Sequence, residues 1–100
     1  MFETGISVTC GVTVGTFMSE YSVKIEDASK KIWEGPVDKE MVIGLQKQPS
    51  VGVYVPGRIY AYLIEFNKET ALIELPVENL GEGRRVYVPL PMVKRERVPA

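Results

Sequence analysis

Residues 6–14 read ISVTCGVTV, and this stretch decides the fold class. Its bulky apolar side chains occupy every second position, and small or polar residues occupy the positions between them. Because successive side chains of a strand point to opposite faces, the alternation predicts a β-strand with one apolar face. The other face is expected to meet solvent or to form an edge that pairs with another subunit, with a polar cavity as the alternative. It consists of Ser7, Thr9, Gly11 and Thr13.

A second long apolar segment, RIYAYLIEF at residues 58–66, is followed by four polar residues and then by ALIEL at residues 71–75. This pattern predicts a β-hairpin in which Phe66 faces Ala71, Ile64 faces Ile73 and Tyr62 faces Leu75. Both faces of the hairpin would then be largely apolar, whereas a strand with one solvated side is polar at every second residue. We therefore expect further strands, a helix or another protein molecule to cover the second face. Its apolar members are Ile59, Ala61, Leu63 and Leu72.

Shorter segments with the same alternation extend the predicted sheet. Strands are expected at residues 21–26, 31–34 and 51–55, and the last two are expected to end at the turn-forming pairs Gly35-Pro36 and Pro56-Gly57. Residues 37–48 fit a helix and a strand equally well, because apolar residues recur there at both spacings. A further strand is expected at residues 84–90, and residues 94–100 either add a short edge strand or form a flexible tail.

These segments predict one β-rich domain spanning residues 1–100. The expected fold is all-β, a small barrel or rolled antiparallel sheet of about six to eight strands, with at most one short helix near residues 37–48. With 45% hydrophobic and 25% charged residues, the composition is that of an ordinary globular protein.

The C-terminal segment GRRVYVPLPMVKRERV resembles the closing segment of SH3-type small barrels. In those barrels a strand that begins at a glycine ends in valine or isoleucine and proline, and a one-turn helix and a short last strand follow. Gly83, Val88, Pro89, Met92 and Val93 occupy the matching positions. The resemblance covers less than a fifth of the chain and implies a small barrel. It does not imply binding of proline-rich peptides, because the paired tryptophans and the acidic loop of that function are absent from the sequence.

The sequence lacks the residues that several classes of chemistry require. There is no histidine and only one cysteine, Cys10, so a Ser–His or Cys–His nucleophile pair and a cysteine-based zinc site are excluded within one chain. Cys10 alternates with valines and is expected to be a buried, inert thiol. No cofactor or metal is expected. A pocket lined by tyrosines and by the carboxylates of Glu65 and Glu74 is the enzymatic alternative.

The sequence favours a non-catalytic binding module that associates with itself or with another protein through an apolar sheet face. Aromatic candidates for an interface or a ligand-lining surface are Tyr54, Tyr60, Tyr62 and Tyr87. The alternative is single-stranded nucleic acid bound along a basic strip. That strip consists of Arg84, Arg85, Lys94, Arg95 and Arg97. Nucleic acid is not favoured, because residues 1–80 hold seven basic and eleven acidic residues.

The N-terminus shows no secretory signal pattern, and no apolar stretch reaches the roughly 20 residues that span a bilayer. A cytoplasmic protein without membrane association is therefore expected.

Overall fold

The sheet is built around β1 (Phe2–Val14), which contains the alternating stretch at residues 6–14. The computed structural model describes residues 2–75 and 85–99, with only the backbone for residues 2–4 and 97–99. Along one edge β1 pairs with β5 (Val55–Phe66), and along the other it pairs first with β8 (Val93–Pro99) and then with β2 (Glu20–Glu26). All three pairings are antiparallel, so β1 lies inside the sheet and has neighbours on both sides.

The remaining strands extend the sheet outwards from this centre. Next to β2 lies β3 (Ile32–Asp38), while β5 also pairs with β4 (Val42–Ile43) and with β6 (Thr70–Glu74). At the far side β6 pairs with β7 (Arg85–Pro89). The order β3-β2-β1-β5-β6-β7 curls into a half-barrel, which confirms the predicted all-β class and the rolled antiparallel sheet.

Within residues 2–75 and 85–99, helical structure is limited to single 3-10 turns at Lys39–Met41 and Leu90–Met92. The first lies in the stretch that fits both a helix and a strand, and the two-residue β4 follows it directly. The second stands between β7 and β8, as in the closing segment of SH3-type barrels. In the part of the chain that the structure describes, no helix is long and apolar enough to cross a membrane.

The core lies on the concave side of the curled sheet, where the inward-facing apolar residues of the strands meet. Val8, Val12, Val23, Ile59, Ile73 and Val88 are all completely excluded from solvent or nearly so. Cys10 belongs to the same cluster, as predicted. The alternation breaks down at Val14, which ends β1 and is 43% exposed.

Two of the predicted turns are wrong, because both proline-containing pairs lie inside strands. Gly35-Pro36 belongs to β3, which has only β2 as a neighbour in the described structure, and an edge strand tolerates a proline that lacks an N–H. Pro56-Gly57 lies at the beginning of β5, next to β1. A Cβ atom at Gly57 would stand 2.9 Å from a methyl carbon of Val12, so close packing against β1 explains the glycine.

The β5–β6 hairpin has a bulge that the sequence analysis did not anticipate. Phe66 does face Ala71, but Glu65 faces Leu72 and Leu63 faces Ile73, so the register shifts between Leu63 and Glu65. Because of this extra residue, the side chains of β5 before the bulge point to the face opposite to the predicted one. Ile59 and Ala61 consequently point into the core, where they are 0% and 2% exposed, and the chain itself covers them.

The small polar face of β1 is partly covered by the chain itself. Arg58 lies across it and donates from Nε to Ser7 Oγ at 2.7 Å and from Nη1 to Thr9 Oγ1 at 2.9 Å. Its Nη2 donates to the Ser7 and Met92 carbonyl oxygens, both at 2.9 Å, and Ser7 Oγ donates to Glu96 at 2.7 Å, so these polar contacts fasten β5 and β8 to β1. The expected subunit edge is wrong, because β1 is paired on both sides. The expected solvent face is wrong for Ser7 and Thr13, which are 0% and 6% exposed, whereas Thr9 remains exposed.

Candidate interaction surface

The outer face of β5, β6 and β7 carries large apolar side chains in solvent. Leu72 stands between its two strand partners Glu65 and Tyr87, on the face opposite the buried Ala71 and Ile73. Tyr87 is 52% exposed and Tyr62 is 38% exposed. We call Tyr62, Leu72 and Tyr87 the aromatic face.

A groove lies at the end of this face, where the β5–β6 hairpin turns. Asn67 shapes the turn, because its Oδ1 accepts hydrogen bonds from the backbone N–H groups of Glu69 and Thr70 at 2.8 and 2.9 Å. The groove has a volume of about 210 Å³ and is open to solvent. Glu65, Phe66, Asn67, Thr70, Leu72 and Tyr87 line it, and we call it the hairpin groove. The exposed fraction of Phe66 is 63%.

On its other side Tyr87 borders a wider cleft towards the β2–β3 turn. The Ala28 N–H donates to the Tyr87 carbonyl oxygen at 2.8 Å, which ties the open edge of β7 to that turn. Asp27 organises the turn, with its carboxylate accepting hydrogen bonds from the backbone of Ser29 and Lys31 and from Trp33 Nε1, each at 2.9 Å. The turn therefore fixes the backbone position of Tyr87.

The charges around the aromatic face have both signs. Arg85 Nε lies 3.4 Å from Glu74 Oε1, and both side chains are partly solvated, so the pair contributes at most about 1 kcal/mol to stability. Glu65 is exposed at the groove. The two carboxylates of the enzymatic alternative thus lie at a solvated rim, one of them paired with an arginine.

The other aromatic candidates lie beside β1. Tyr54 packs over Gly11, where a Cβ would stand 3.3 Å from the tyrosine ring, and the Lys24 ammonium lies 4.1 Å from the ring centroid. Tyr60 is half-buried and faces Ser7 across the strands. Leu63 is half-buried and packs against the core. With Ile59 and Ala61 in the core as well, only Tyr62, Leu72 and Tyr87 of the predicted interface candidates come together on an open surface.

The predicted basic strip is divided between two strands. Arg84 and the side chain of Arg97 lie outside the described residues. Arg85 begins β7 and contacts Glu74, whereas Lys94 and Arg95 stand on β8 opposite Ser7 and Ile6 of β1. Within the described residues β7 pairs with β6 and β8 pairs with β1, so the three basic residues stand on strands that are not neighbours in the sheet.

A second apolar surface, at the opposite end of β5, was not predicted. Phe17 and Met18 are 69% and 93% exposed in the connection between β1 and β2. The loop before β5 lies beside them, because Thr13 Oγ1 donates to the Ser50 carbonyl oxygen at 2.8 Å and Val53 N–H donates to the same oxygen at 3.1 Å.

We call this second surface the tip surface. Its members are Val14, Phe17, Met18, Val51 and Val53, of which the last two are 84% and 53% exposed. The sequence signal for it was available, since a phenylalanine and a methionine are unusual at the end of a hairpin connection otherwise made of small and polar residues.

Reactive groups in the described residues are few and buried. Burial raises the pKa of the Cys10 thiol to about 12, although the nearby Arg58 guanidinium acts in the opposite direction. At neutral pH this cysteine is therefore an uncharged thiol of low reactivity. Among the described residues no group of three or more acidic, cysteine or histidine side chains could hold a metal ion.

The two open surfaces carry residue types that are common where proteins contact each other. Tyrosine combines a large apolar ring with a hydroxyl group that stays hydrated at the rim, and tyrosine and methionine are both enriched at protein interfaces. No family model, no curated protein and no solved structure matches this chain.

Proposed function

We propose that the chain is a non-catalytic interaction module that associates with further copies of itself through the aromatic face. The observation that carries the proposal is the exposure of Tyr62 and Tyr87 on either side of Leu72, on regular strands rather than in loops. Contiguous exposed apolar patches with a polar rim are a common mark of interaction sites, and Glu65, Glu74 and Arg85 form such a rim here. Rigid strands also hold these side chains in place, which lowers the entropic cost of binding.

The expected affinity follows from the exposed area. Tyr62 and Tyr87, the two aromatic members of the face, are 38% and 52% exposed. An aromatic side chain offers roughly 150–250 Å², so about 180 Å² of the two rings remains to be buried. At about 25 cal/mol per Å² this contributes roughly 4–5 kcal/mol, and the partner surface contributes a similar amount. Association costs of roughly 4–15 kcal/mol offset much of this gain. The dissociation constant should consequently lie between about 0.1 mM and the millimolar range.

The test is sedimentation velocity together with light scattering from low-micromolar to millimolar protein. We expect the mean mass of the wild type to rise with concentration. In Tyr87→Thr the rise should shift to at least tenfold higher concentration, because the substitution removes the ring and keeps a residue that favours strands.

The matched control is Ile32→Thr, which removes an apolar side chain of similar exposure, 49%, from another edge strand. It should assemble like the wild type. A wild type that stays monomeric up to millimolar concentration, or equal losses in both variants, would refute the proposal.

A further inference from the structure

We infer that the tip surface is a membrane-contact site that inserts its side chains into the interfacial layer of a phospholipid bilayer. This surface is separate from the aromatic face, so the inference goes beyond the proposed self-association. Its four most exposed apolar side chains lie in two connections that meet at one end of the sheet. They are Phe17, Met18, Val51 and Val53, with exposed fractions of 69%, 93%, 84% and 53%.

The first of these connections is a turn between β1 and β2 that its own residues close. The Glu20 N–H donates to the Phe17 carbonyl oxygen at 3.2 Å, and the Glu20 carboxylate accepts a hydrogen bond from the Phe17 N–H at 3.4 Å. Met18 is therefore the first central residue of the turn. Both backbone polar groups of Phe17 are paired inside the turn, so removing this residue from water leaves neither of them without a partner.

The second connection is a turn in the loop before β5, and it stands beside the first. The Val53 N–H closes it on the Ser50 carbonyl oxygen at 3.1 Å, and the positive φ of Gly52, 75°, fits a type II turn with Val51 as its first central residue. Thr13 Oγ1 donates to the same carbonyl oxygen at 2.8 Å and fixes the turn to the end of β1. Each of the two turns thus presents an apolar side chain at its first central position.

An apolar medium suits side chains that stand free in this way. The central positions of β-turns usually hold glycine, proline, asparagine, aspartate or serine, so a methionine and a valine there are not needed to form the turns. A protein partner would need a recess shaped to two projecting turns and about one hydrogen bond per 100–200 Å² of interface. The backbone groups that close these turns are already paired, and lipid chains rearrange around any apolar side chain. The tip surface therefore fits lipid better than a second folded surface.

The charges around the tip have both signs. Glu20 and Lys39 line the cleft at the turns, and Asp38 and Glu40 line a depression beside it together with Lys39. A basic patch would attract anionic lipids through their surface potential. Here the carboxylates offset Lys39 and the exposed Lys47. We therefore expect the contact to depend on apolar insertion and to show no preference for anionic lipid.

The exposed apolar surface is sufficient for reversible binding only. The exposed parts of the four side chains amount to roughly the apolar surface of one fatty acyl chain, and a myristoyl chain binds bilayers with a constant on the order of 10⁴ M⁻¹. Half of the protein should consequently be bound at about 0.1–1 mM accessible lipid. The sequence suggested no membrane association because it has no stretch long enough to span a bilayer, but a contact through two turns needs no such stretch.

The test is co-sedimentation of the whole chain, at low-micromolar concentration, with phosphatidylcholine vesicles. We expect the wild type to bind, and the lipid concentration at half-binding to stay the same when about a third of the lipid is phosphatidylserine and when the salt rises from about 0.1 to about 0.5 M. Met18→Ser/Val51→Ser should need at least about tenfold more lipid, because it removes both central side chains and serine is favoured in turns. Circular dichroism checks that the variant is folded.

Two control variants place the binding site on the protein. Ile32→Thr removes an apolar side chain that is 49% exposed at the end of β3 remote from the tip, and it should bind vesicles like the wild type. Tyr87→Thr alters the aromatic face and should also bind like the wild type. If Tyr87→Thr loses vesicle binding, the aromatic face makes the contact, and the inference about the tip is wrong.

The remaining outcomes separate this inference from the proposed self-association. No wild-type binding at about 5 mM lipid, or equal binding by Met18→Ser/Val51→Ser, overturns the inference. Binding that requires phosphatidylserine and disappears at high salt overturns it as well. If the wild type does not bind vesicles and Met18→Ser/Val51→Ser loses the concentration-dependent assembly, the tip contacts protein instead of lipid. A wild type that binds vesicles but stays monomeric up to millimolar concentration refutes the self-association alone.

Discussion

Replacing Asp27 by asparagine should destabilise the protein strongly although the two side chains have almost the same shape. Asp27 is 8% exposed, and its two carboxylate oxygens accept four hydrogen bonds. Oδ1 receives the N–H and the hydroxyl group of Ser29 and the N–H of Lys31, and Oδ2 receives Trp33 Nε1–H, all at 2.9 Å. All of these partners are donors, so an amide with a single acceptor oxygen cannot satisfy them.

The size of the expected loss in the free energy of unfolding follows from the donor that is left without an acceptor. If the asparagine oxygen stays with the turn amides, its NH2 group faces Trp33 Nε1–H, a donor on a side chain that is only 8% exposed. A buried donor without a partner costs about 1–3 kcal/mol, and the surviving hydrogen bonds weaken because the acceptor is no longer charged. We expect a total loss of about 2–4 kcal/mol. For a domain of this size that lowers Tm by at least about 8 °C.

The effect should depend on pH. Burial raises the pKa of Asp27, but the hydrogen bonds from Trp33, Lys31 and Ser29 together outweigh it and hold the pKa below its ordinary value of 3.8. Because the unfolded state binds the proton more tightly, the stabilisation is complete above about pH 5 and decreases as the pH falls through the pKa of the folded protein. Asparagine does not titrate, so the stability difference between wild type and variant should narrow below about pH 4.

The assay is urea unfolding at several pH values, followed by circular dichroism and by the fluorescence of Trp33, the only tryptophan in the chain. Asp38→Asn is the control, because Asp38 is exposed and its side chain makes no capping hydrogen bond. An Asp27→Asn variant as stable as Asp38→Asn at neutral pH would refute the reasoning. So would a stability difference that stays constant down to pH 2.

Three further perturbations test the polar layer, the core thiol and the tip. Arg58→Lys should lower the free energy of unfolding in urea by about 1–3 kcal/mol, because an ammonium group cannot reproduce the four hydrogen bonds of the guanidinium, including the one to the Met92 carbonyl. An unchanged urea midpoint would show that these four bonds do not stabilise the sheet. Cys10 should react with a thiol reagent at pH 8 far more slowly in the folded than in the urea-unfolded protein, since the thiol is 6% exposed and burial raises its pKa to about 12; equal labelling rates would contradict its placement. Gly15→Ala should lower Tm, because a Cβ there would stand 2.6 Å from the Glu20 carbonyl oxygen; calorimetry showing an unchanged Tm would disprove this.

The fold class was predictable because the alternation of apolar residues fixes it locally. The pattern at residues 6–14 places Ile6, Val8, Cys10 and Val12 on one face, and these side chains are indeed buried. The closing order of strand, one-turn helix and strand at residues 85–99 was also readable, because proline and valine stand where the chain must turn and pair again.

The register of the hairpin and the partner of the polar face depend on contacts far apart in the sequence. The bulge between Leu63 and Glu65 changes which side chains of β5 point into the core, and no local sequence pattern predicts it. Ser7 and Thr9 look like a solvent face until Arg58, some fifty residues later in the chain, is seen to lie over them. The candidate surface was therefore only partly predictable, and the exposed Phe17 and Met18 lie in a connection that the pattern of strands does not describe.

The position of the open apolar surfaces follows from how completely β1 is enclosed. Strands cover both of its edges, the core covers one face, and Arg58 and Tyr54 cover the other. Apolar side chains near the centre of the sheet are thus buried by the chain itself, and the large ones left in solvent concentrate where the enclosure ends, beyond Val14 at one end and around Phe66 at the other. A protein that needed only to be stable could place polar residues at these ends, because surface substitutions there cost little.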